Sequence, residues 1–394
     1  MRDDPVASHA RAISPFLAME VLNRAVAMDA AGDRVIHMEV GEPDFPTPPA
    51  VVEAAQRALK DGRTRYTHSQ GTLELREAIC RHHAARYGVH VTPDRVFVTA
   101  GSSPAIWMVF SALLEPGDQV ILPDPHYACY PNVVRFCRGE PVFVGVAEER
   151  GFRLDPDAVR QRCGPRAKAL LVNSPANPTG AVLPGETLGR LAHLGPVVVS
   201  DEIYHGLTYE GEEHSVLEYN PDAVVLNGFS KAFAMTGWRL GYAIVPEVLV
   251  RPLQKMAQNF FVSPNDFVQA AGVAALREAR PDAERMREVF AGRRRVIVDG
   301  LRRLGFGIAV EPTGAFYVLA NARKFTGNSY RFAFEILEHA KVGVTPGIDF
   351  GQNAEGYIRF SYAASTEQIE EALARLQRFL AARRQGGHHD DRTP

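Results

Sequence analysis

Val197-Val198-Val199-Ser200-Asp201 and Val224-Val225-Leu226-Asn227-Gly228-Phe229-Ser230-Lys231 share one plan: a short apolar run, then at once charged or hydroxylated residues. An apolar run without polar alternation is the pattern of a strand buried on both faces, as in a parallel sheet covered by helices. Val96–Thr99, Val120–Leu122, Val142–Val146, Ala169–Val172 and Leu240–Val245 repeat it, which makes seven runs. Intervals such as Pro104–Leu114 and Leu183–His193 are long enough for helices between them. The chain therefore predicts an α/β fold, with a large domain built on a mostly parallel seven-stranded sheet covered by helices.

The last third reads differently. A basic helical segment, Ala283–Leu304, leads into strand-like runs at Ile308–Val310 and Ala315–Leu319, then Ile358–Ser361 and a helix over Thr366–Ala382. This predicts a smaller α+β domain over residues 286–384, after a large domain over residues 46–285. The N-terminal segment, residues 1–45, with a helix around Ala18–Ala31, is expected to pack with the small domain. Residues 385–394 hold no apolar side chain to bury and read as a disordered tail.

Bulk properties narrow the function classes. The 394 residues are 46% hydrophobic and 23% charged, with a formal net charge of -2. No basic field argues for nucleic acid. The longest apolar stretch, Ala105–Leu114, falls far short of the roughly 20 residues that span a bilayer. The start of the chain lacks the apolar core of a signal peptide. The 4 cysteines form no Cys-x-x-Cys pair and no metal-type cluster, so a reduced, cytoplasmic home is expected.

The odd polar residues follow the predicted strands. Gly101-Ser102-Ser103 follows the first run and Tyr127 the second. Asn173 and Asn177, then Asp201 and Tyr204, then Ser230 and Lys231 follow later ones. In open α/β sheets, ligands bind beyond the carboxyl ends of the strands. Loops are polar in any case, but here they deliver complementary chemistry to one edge.

Lys231 sits between Phe229-Ser230 and Ala232-Phe233. An ammonium among such neighbours is costly, and a desolvated lysine of lowered pKa is what Schiff-base formation needs. A lone lysine more often snorkels to solvent. Asp201, ending a valine-rich strand, needs a cation; a pyridinium nitrogen would serve, and a local cap is the plainer alternative. Gly101-Ser102-Ser103-Pro104 opens a helix and suits a phosphate. Arg239, eight positions beyond Lys231, could neutralise that phosphate, and Tyr127 could stack on a flat ring.

The stretch Ser230-Lys231-Ala232-Phe233-Ala234-Met235-Thr236-Gly237-Trp238-Arg239-Leu240-Gly241-Tyr242 resembles the cofactor-lysine signature of the class I/II aminotransferases, fold type I pyridoxal-phosphate enzymes. The similarity extends to Gly41-Glu42-Pro43-Asp44-Phe45-Pro46-Thr47-Pro48, Tyr66-Thr67, Leu73 to Arg76, Asn177-Pro178-Thr179-Gly180, Asp201 to Tyr204 and Arg359-Phe360-Ser361, over roughly residues 11 to 380. The resemblance implies pyridoxal 5'-phosphate as cofactor and Lys231 as its Schiff-base lysine and proton carrier. Asp201 would pair with the ring nitrogen, Tyr204 and Asn177 with the ring oxygen, and Tyr127 would stack on the ring. Gly101, Ser102, Ser103, Ser230 and Arg239 would hold the phosphate. Tyr66 would reach the phosphate of a neighbouring subunit, which implies a homodimer with shared sites. Arg359 would clamp the substrate carboxylate, with Asn177 and the backbone of Gly41 beside it. Gly228 departs from relatives that carry a serine donor three positions before the lysine.

The implied reaction is ping-pong transfer of an amino group from an L-amino acid to a 2-oxo acid. The alternative is a C–S β-lyase or other eliminating enzyme on the same fold. A non-catalytic cofactor-binding regulator would need a DNA-binding module, for which the N-terminus has no room. No dinucleotide fingerprint or P-loop is present. Some aspartate-selective relatives place a lysine where this chain has Ser102-Ser103-Pro104. That absence, with Phe16, Phe260, Phe261 and Phe316 as candidate pocket walls, predicts a neutral or aromatic donor.

Overall fold

The computed structural model describes residues 5–385. After a two-residue strand β1 (Ile36–His37), the strands of the large sheet are β2 (Val96–Thr99), β3 (Gln119–Asp124), β4 (Glu140–Gly145), β5 (Ala167–Asn173), β6 (Val197–Asp201), β7 (Val224–Gly228) and β8 (Gly241–Ile244). Their order is β2-β8-β7-β6-β5-β3-β4. The pairs β3–β4, β3–β5, β5–β6 and β6–β7 are parallel, whereas β8 runs antiparallel to both β2 and β7.

The continuous apolar runs are explained by burial on both faces. Val198, Val225, Leu170 and Ile121 enter one core, while Val199, Val224, Leu171 and Leu122 enter the other. Alternate residues of one strand thus fill opposite layers, and neither layer leaves a face for polar side chains.

The second unit is built on an antiparallel sheet of β9 (Tyr317–Asn321), β12 (Tyr357–Ser361) and β11 (Thr345–Pro346), in the order β11-β12-β9. Strand β1 pairs in parallel with β10 (Val342–Gly343), and Val21, Ala25 and Met28 of the helix Leu17–Ala30 pack on Leu337. The N-terminal segment is therefore bound to the small unit by backbone and core alike. The helix Arg280–Leu304 carries the chain from one unit to the other as a single 25-residue rod.

Two expectations differ from the structure. Ile308–Val310 forms no strand; beside it is one isolated bridge, Gly307 to Asn321, on the edge of β9 that β12 does not use. The C-terminal helix runs from Thr366 to Gln385, past the expected Ala382. The rest of the expected tail lies outside the described residues.

Candidate active site

The carboxyl ends of the parallel strands and the edge of the small sheet meet. Asp201 closes β6 and is buried. Its Oδ2 accepts a hydrogen bond from the Tyr130 hydroxyl at 2.7 Å, and its Oδ1 accepts the Ile203 amide at 3.2 Å. The local cap is thus real, but it uses one oxygen only. Burial pushes the Asp201 carboxyl up, and the Tyr130 hydrogen bond opposes that. Among the described residues, Asp201 makes no ion pair.

Lys231 follows β7. Its Nζ donates to the Gly41 carbonyl at 2.6 Å. Burial lowers its pKa to about 8, the nearby Glu42 carboxylate opposes this, and the fields of Arg239 and Arg359 push it further down. Snorkelling to solvent is not what this side chain does.

Asn173 at the end of β5 organises the next loop: its Oδ1 accepts the Asn177 amide at 2.8 Å, and its Nδ2 donates to the Asp201 carbonyl at 2.8 Å. The Asn177 side-chain oxygen accepts from Arg359 at 3.0 Å. Arg359, on β12, is buried and also donates to Thr345 Oγ1 at 3.0 Å and to the Glu39 carbonyl. Its guanidinium carbon lies 4.5 Å from the Tyr317 ring centre and 4.9 Å from that of Phe350. Its Nε has no partner, and among the described residues no carboxylate pairs with it. A buried guanidinium that meets only neutral acceptors is suited to an anion.

Tyr204, also buried, shares a 2.8 Å hydrogen bond with the hydroxyl of Tyr317. That hydroxyl stands where a Cβ on residue 41 would fall, so Gly41 is required there by contact. Tyr127 sets its ring edge-on to Tyr130 and to Phe16, with centres 5.3 and 5.9 Å away.

Gly101 has φ +91 and caps the helix Ser102–Leu113 without a side-chain hydrogen bond. A Cβ on Gly101 would strike the Arg239 guanidinium, so the bare backbone admits that cation to the helix start. Ser102 and Ser103 occupy the first positions, where amide N–H groups lack helical acceptors. Ser230 is buried two residues past β7. Gly228 also has a packing reason: a Cβ there would lie 3.0 Å from the Leu240 carbonyl and 3.1 Å from the Gly241 Cα. The serine of some relatives would crowd β8.

The structure thus gathers Gly41, Asn177, Asp201, Tyr204, Lys231 and Arg359, linked directly or through Asn173 and Tyr317, with Tyr127 packed beside them and Gly101 and Arg239 side by side. It does not bring Tyr66 there; that side chain is 86% exposed. Phe316 is corrected from pocket wall to core: it is fully buried, packed between Phe290 and Tyr317. Phe260 and Phe261 are exposed and lean on Trp107. Two site residues escaped the sequence reading. Tyr130 could have been found from its i+3 spacing to Tyr127, whereas Tyr317 is one hydroxyl inside an apolar strand.

The family profile "Aminotransferase class I and II" matches residues 33–376. The chain belongs to this family. Among its relatives, the aspartate/prephenate aminotransferase of Thermus thermophilus is 42% identical over 378 residues, covering 94% of this chain and 97% of that protein. The aspartate aminotransferase of Geobacillus stearothermophilus is 36% identical, covering 96% and 99%. The solved Thermus thermophilus aspartate aminotransferase with maleate superposes with a TM-score of 0.92 at 40% identity, over 95% of this chain and 100% of that one. An aminotransferase from Mycobacterium tuberculosis superposes equally, with a TM-score of 0.92, at 35% identity over 96% and 100%. The fold is that of the fold type I aminotransferases, and the enzyme is a transferase of amino groups. Among the described residues, no helix is long and apolar enough to cross a membrane.

Proposed function

We propose that this aminotransferase uses pyridoxal 5'-phosphate, works as a homodimer with shared sites, and takes a neutral or aromatic L-amino acid as donor. One observation carries the cofactor assignment: Lys231, lowered to about 8, lies in one site with a buried carboxylate, Asp201, and a buried guanidinium, Arg359, and neither of these two has an ionic partner among the described residues. Each is a half of a pair that a bound molecule would complete. The residues fit the group. Lys231 would hold it through its amine and Asp201 through its ring nitrogen. Tyr204 and Asn177 would serve the ring oxygen and Tyr127 the ring face. Ser102, Ser103, Ser230, Arg239 and the Gly101 backbone would serve the phosphate.

When bound, the cofactor supplies an aldehyde for amines and a protonated ring that takes up the electron pair released at the substrate Cα. The protein does the rest. Arg359 binds the α-carboxylate in a planar fork and so orients Cα. Lys231, with its amine free, would be the base near that carbon; its lowered pKa leaves a useful fraction neutral near pH 8. Tyr130 donates to Asp201 and opposes the rise that burial imposes on its carboxyl.

The neutral or aromatic donor is supported by Ser102 and Ser103, which stand where some aspartate-selective relatives carry a lysine, and by Phe16 beside Tyr127. Relatives named for aspartate would read otherwise. However, one solved relative from Methanococcus jannaschii, at 35% identity, is similar in its active site to kynurenine aminotransferases, and kynurenine is an aromatic amino acid. A partner subunit is supported by exposed Tyr66, Phe260, Phe261 and Val262. A cytoplasmic home is supported by the four free cysteines, Cys80, Cys129, Cys137 and Cys163.

Borohydride reduction of the yellow protein should fix a pyridoxyl group on Lys231, read by peptide mass. A label on another lysine, such as Lys255, would sink the assignment. For the shared site, mixing inactive Lys231→Ala chains with impaired Tyr66→Ala chains should raise the activity, because each heterodimer then holds one site with Lys231, Arg359 and Tyr66 all intact. No rescue despite proven subunit exchange would count against it.

A further inference from the structure

The segment that carries Lys231 has a second face. Phe229, Ala232 and Phe233 form one wall of a cavity of about 840 Å³, in whose lining Lys231, Asp201 and Arg359 take no part. The opposite walls come from the helix Leu73–Tyr87 and from the start of the helix Arg280–Leu304, and His205 and Gly206, just after Tyr204, close one end. The cavity therefore touches the lysine segment, the tyrosine loop and the rod that joins the two units.

Its chemistry is specific. Phe229 and Phe233 lie 5.9 Å apart at 33°, and Phe229 and Tyr242 6.1 Å apart, which makes an aromatic wall. Each acid of the lining already has a basic neighbour. Arg86 holds Glu213 at 2.6 Å and Arg280 holds Glu284 at 2.8 Å, while His214 lies 3.0 Å from Glu218 and 3.6 Å from Glu212. Two further lining arginines are paired outside the cavity, Arg81 with Glu77 and Arg277 with Glu74. The half-buried Arg287 remains: among the described residues it makes no hydrogen bond and no ion pair. The side-chain oxygen of buried Asn227 accepts from the Gly228 N–H at 2.7 Å, and its NH2 has no acceptor among the described residues. A free guanidinium, a free amide donor and an aromatic wall around one volume match a flat ring bearing a carboxylate.

We propose that this cavity is an effector site for a small aromatic carboxylate, which acts on the Lys231 segment from behind. Guanidinium and amide would take the carboxylate, and Phe229 and Phe233 the ring. An occupant would press on the backbone that sets Lys231 and Ser230, so turnover should respond at saturating substrate.

Phenylacetate is a suitable probe, since it has neither an amino nor an oxo group to react. Titrated calorimetrically into holoenzyme, it should bind saturably, and binding should survive Arg359→Leu. With the carboxylate clamp of the catalytic site removed by Arg359→Leu, it should weaken about tenfold or more on adding Arg287→Ala or the cavity-filling Ala283→Trp. With donor and acceptor both saturating, phenylacetate should change kcat about twofold or more in the wild type and not in Ala283→Trp. Competition at the catalytic site would leave that kcat unchanged. Loss of binding in Arg359→Leu, retention in both of those double variants, an unmoved kcat, or no binding up to about 10 mM would each overturn the proposal.

Discussion

Arg359→Leu separates the reading of the carboxylate clamp from a structural role. The wild-type guanidinium is buried and donates to Asn177 Oδ1, Thr345 Oγ1 and the Glu39 carbonyl, with no acid opposite. Substrate binding would add two charge-assisted hydrogen bonds to a carboxylate. Each contributes about 1.5–3 kcal/mol, so the pair contributes about 3–6 kcal/mol. At about 1.4 kcal/mol per decade, kcat/KM for an amino acid should fall about 100-fold to 10,000-fold. Stability should change far less. The variant leaves three acceptors without a donor, costing about 1 kcal/mol each, but it also removes a buried unpaired charge, which opposes that loss. The assay is a ratio: kcat/KM for L-phenylalanine against that for phenethylamine, which lacks the carboxylate. Wild type should prefer the amino acid by the factor above, and Arg359→Leu should erase the preference. Reconstituted enzyme with normal cofactor content and an unchanged ratio would refute the clamp.

Tyr130→Phe removes the donor that holds Asp201 down, so the Asp201 pKa should rise. Activity should fall about 10- to 100-fold, and the acid limb of the kcat/KM profile should move to higher pH; an unmoved limb would exclude the role. Lys231 is lowered to about 8, so its neutral, reactive amine is present above about pH 8 and lost below it. The rate of cofactor uptake by apoenzyme should therefore rise with pH through about 8, and a midpoint near an ordinary lysine would contradict the desolvation. Gly228→Ser should cost about 1–3 kcal/mol in denaturant unfolding, since its Cβ meets the Leu240 carbonyl at 3.0 Å, and it should not tighten cofactor binding. In a donor panel, phenylalanine, methionine, leucine and alanine should exceed aspartate in kcat/KM; aspartate ahead by about tenfold would reveal a missed distal cation.

Much of the site was legible from sequence because its causes are local. Two-sided burial imposes an apolar run on each parallel strand wherever its neighbours come from, so β2 to β8 could be read one at a time. A strand that ends must hand over to a loop at the same sheet edge, which is why Gly101, Tyr127, Asn177, Asp201 and Lys231 could be grouped before any contact was known. Aromatic and small apolar neighbours sufficed to expect a lysine of lowered pKa.

Tertiary structure decided what depends on pairs distant in sequence. Asp201 owes its hydrogen-bond donor to Tyr130, 71 positions away, and Arg359 owes part of its posture to Asn177, 182 away. No local pattern encodes such partners, since they follow from strand order and from how the small sheet closes on the large one. The antiparallel setting of β8, the choice of Phe316 for the core and the loss of a strand at Ile308–Val310 have the same origin. An apolar side chain or extended run fits several environments equally well, and only the neighbours that fold against it select one.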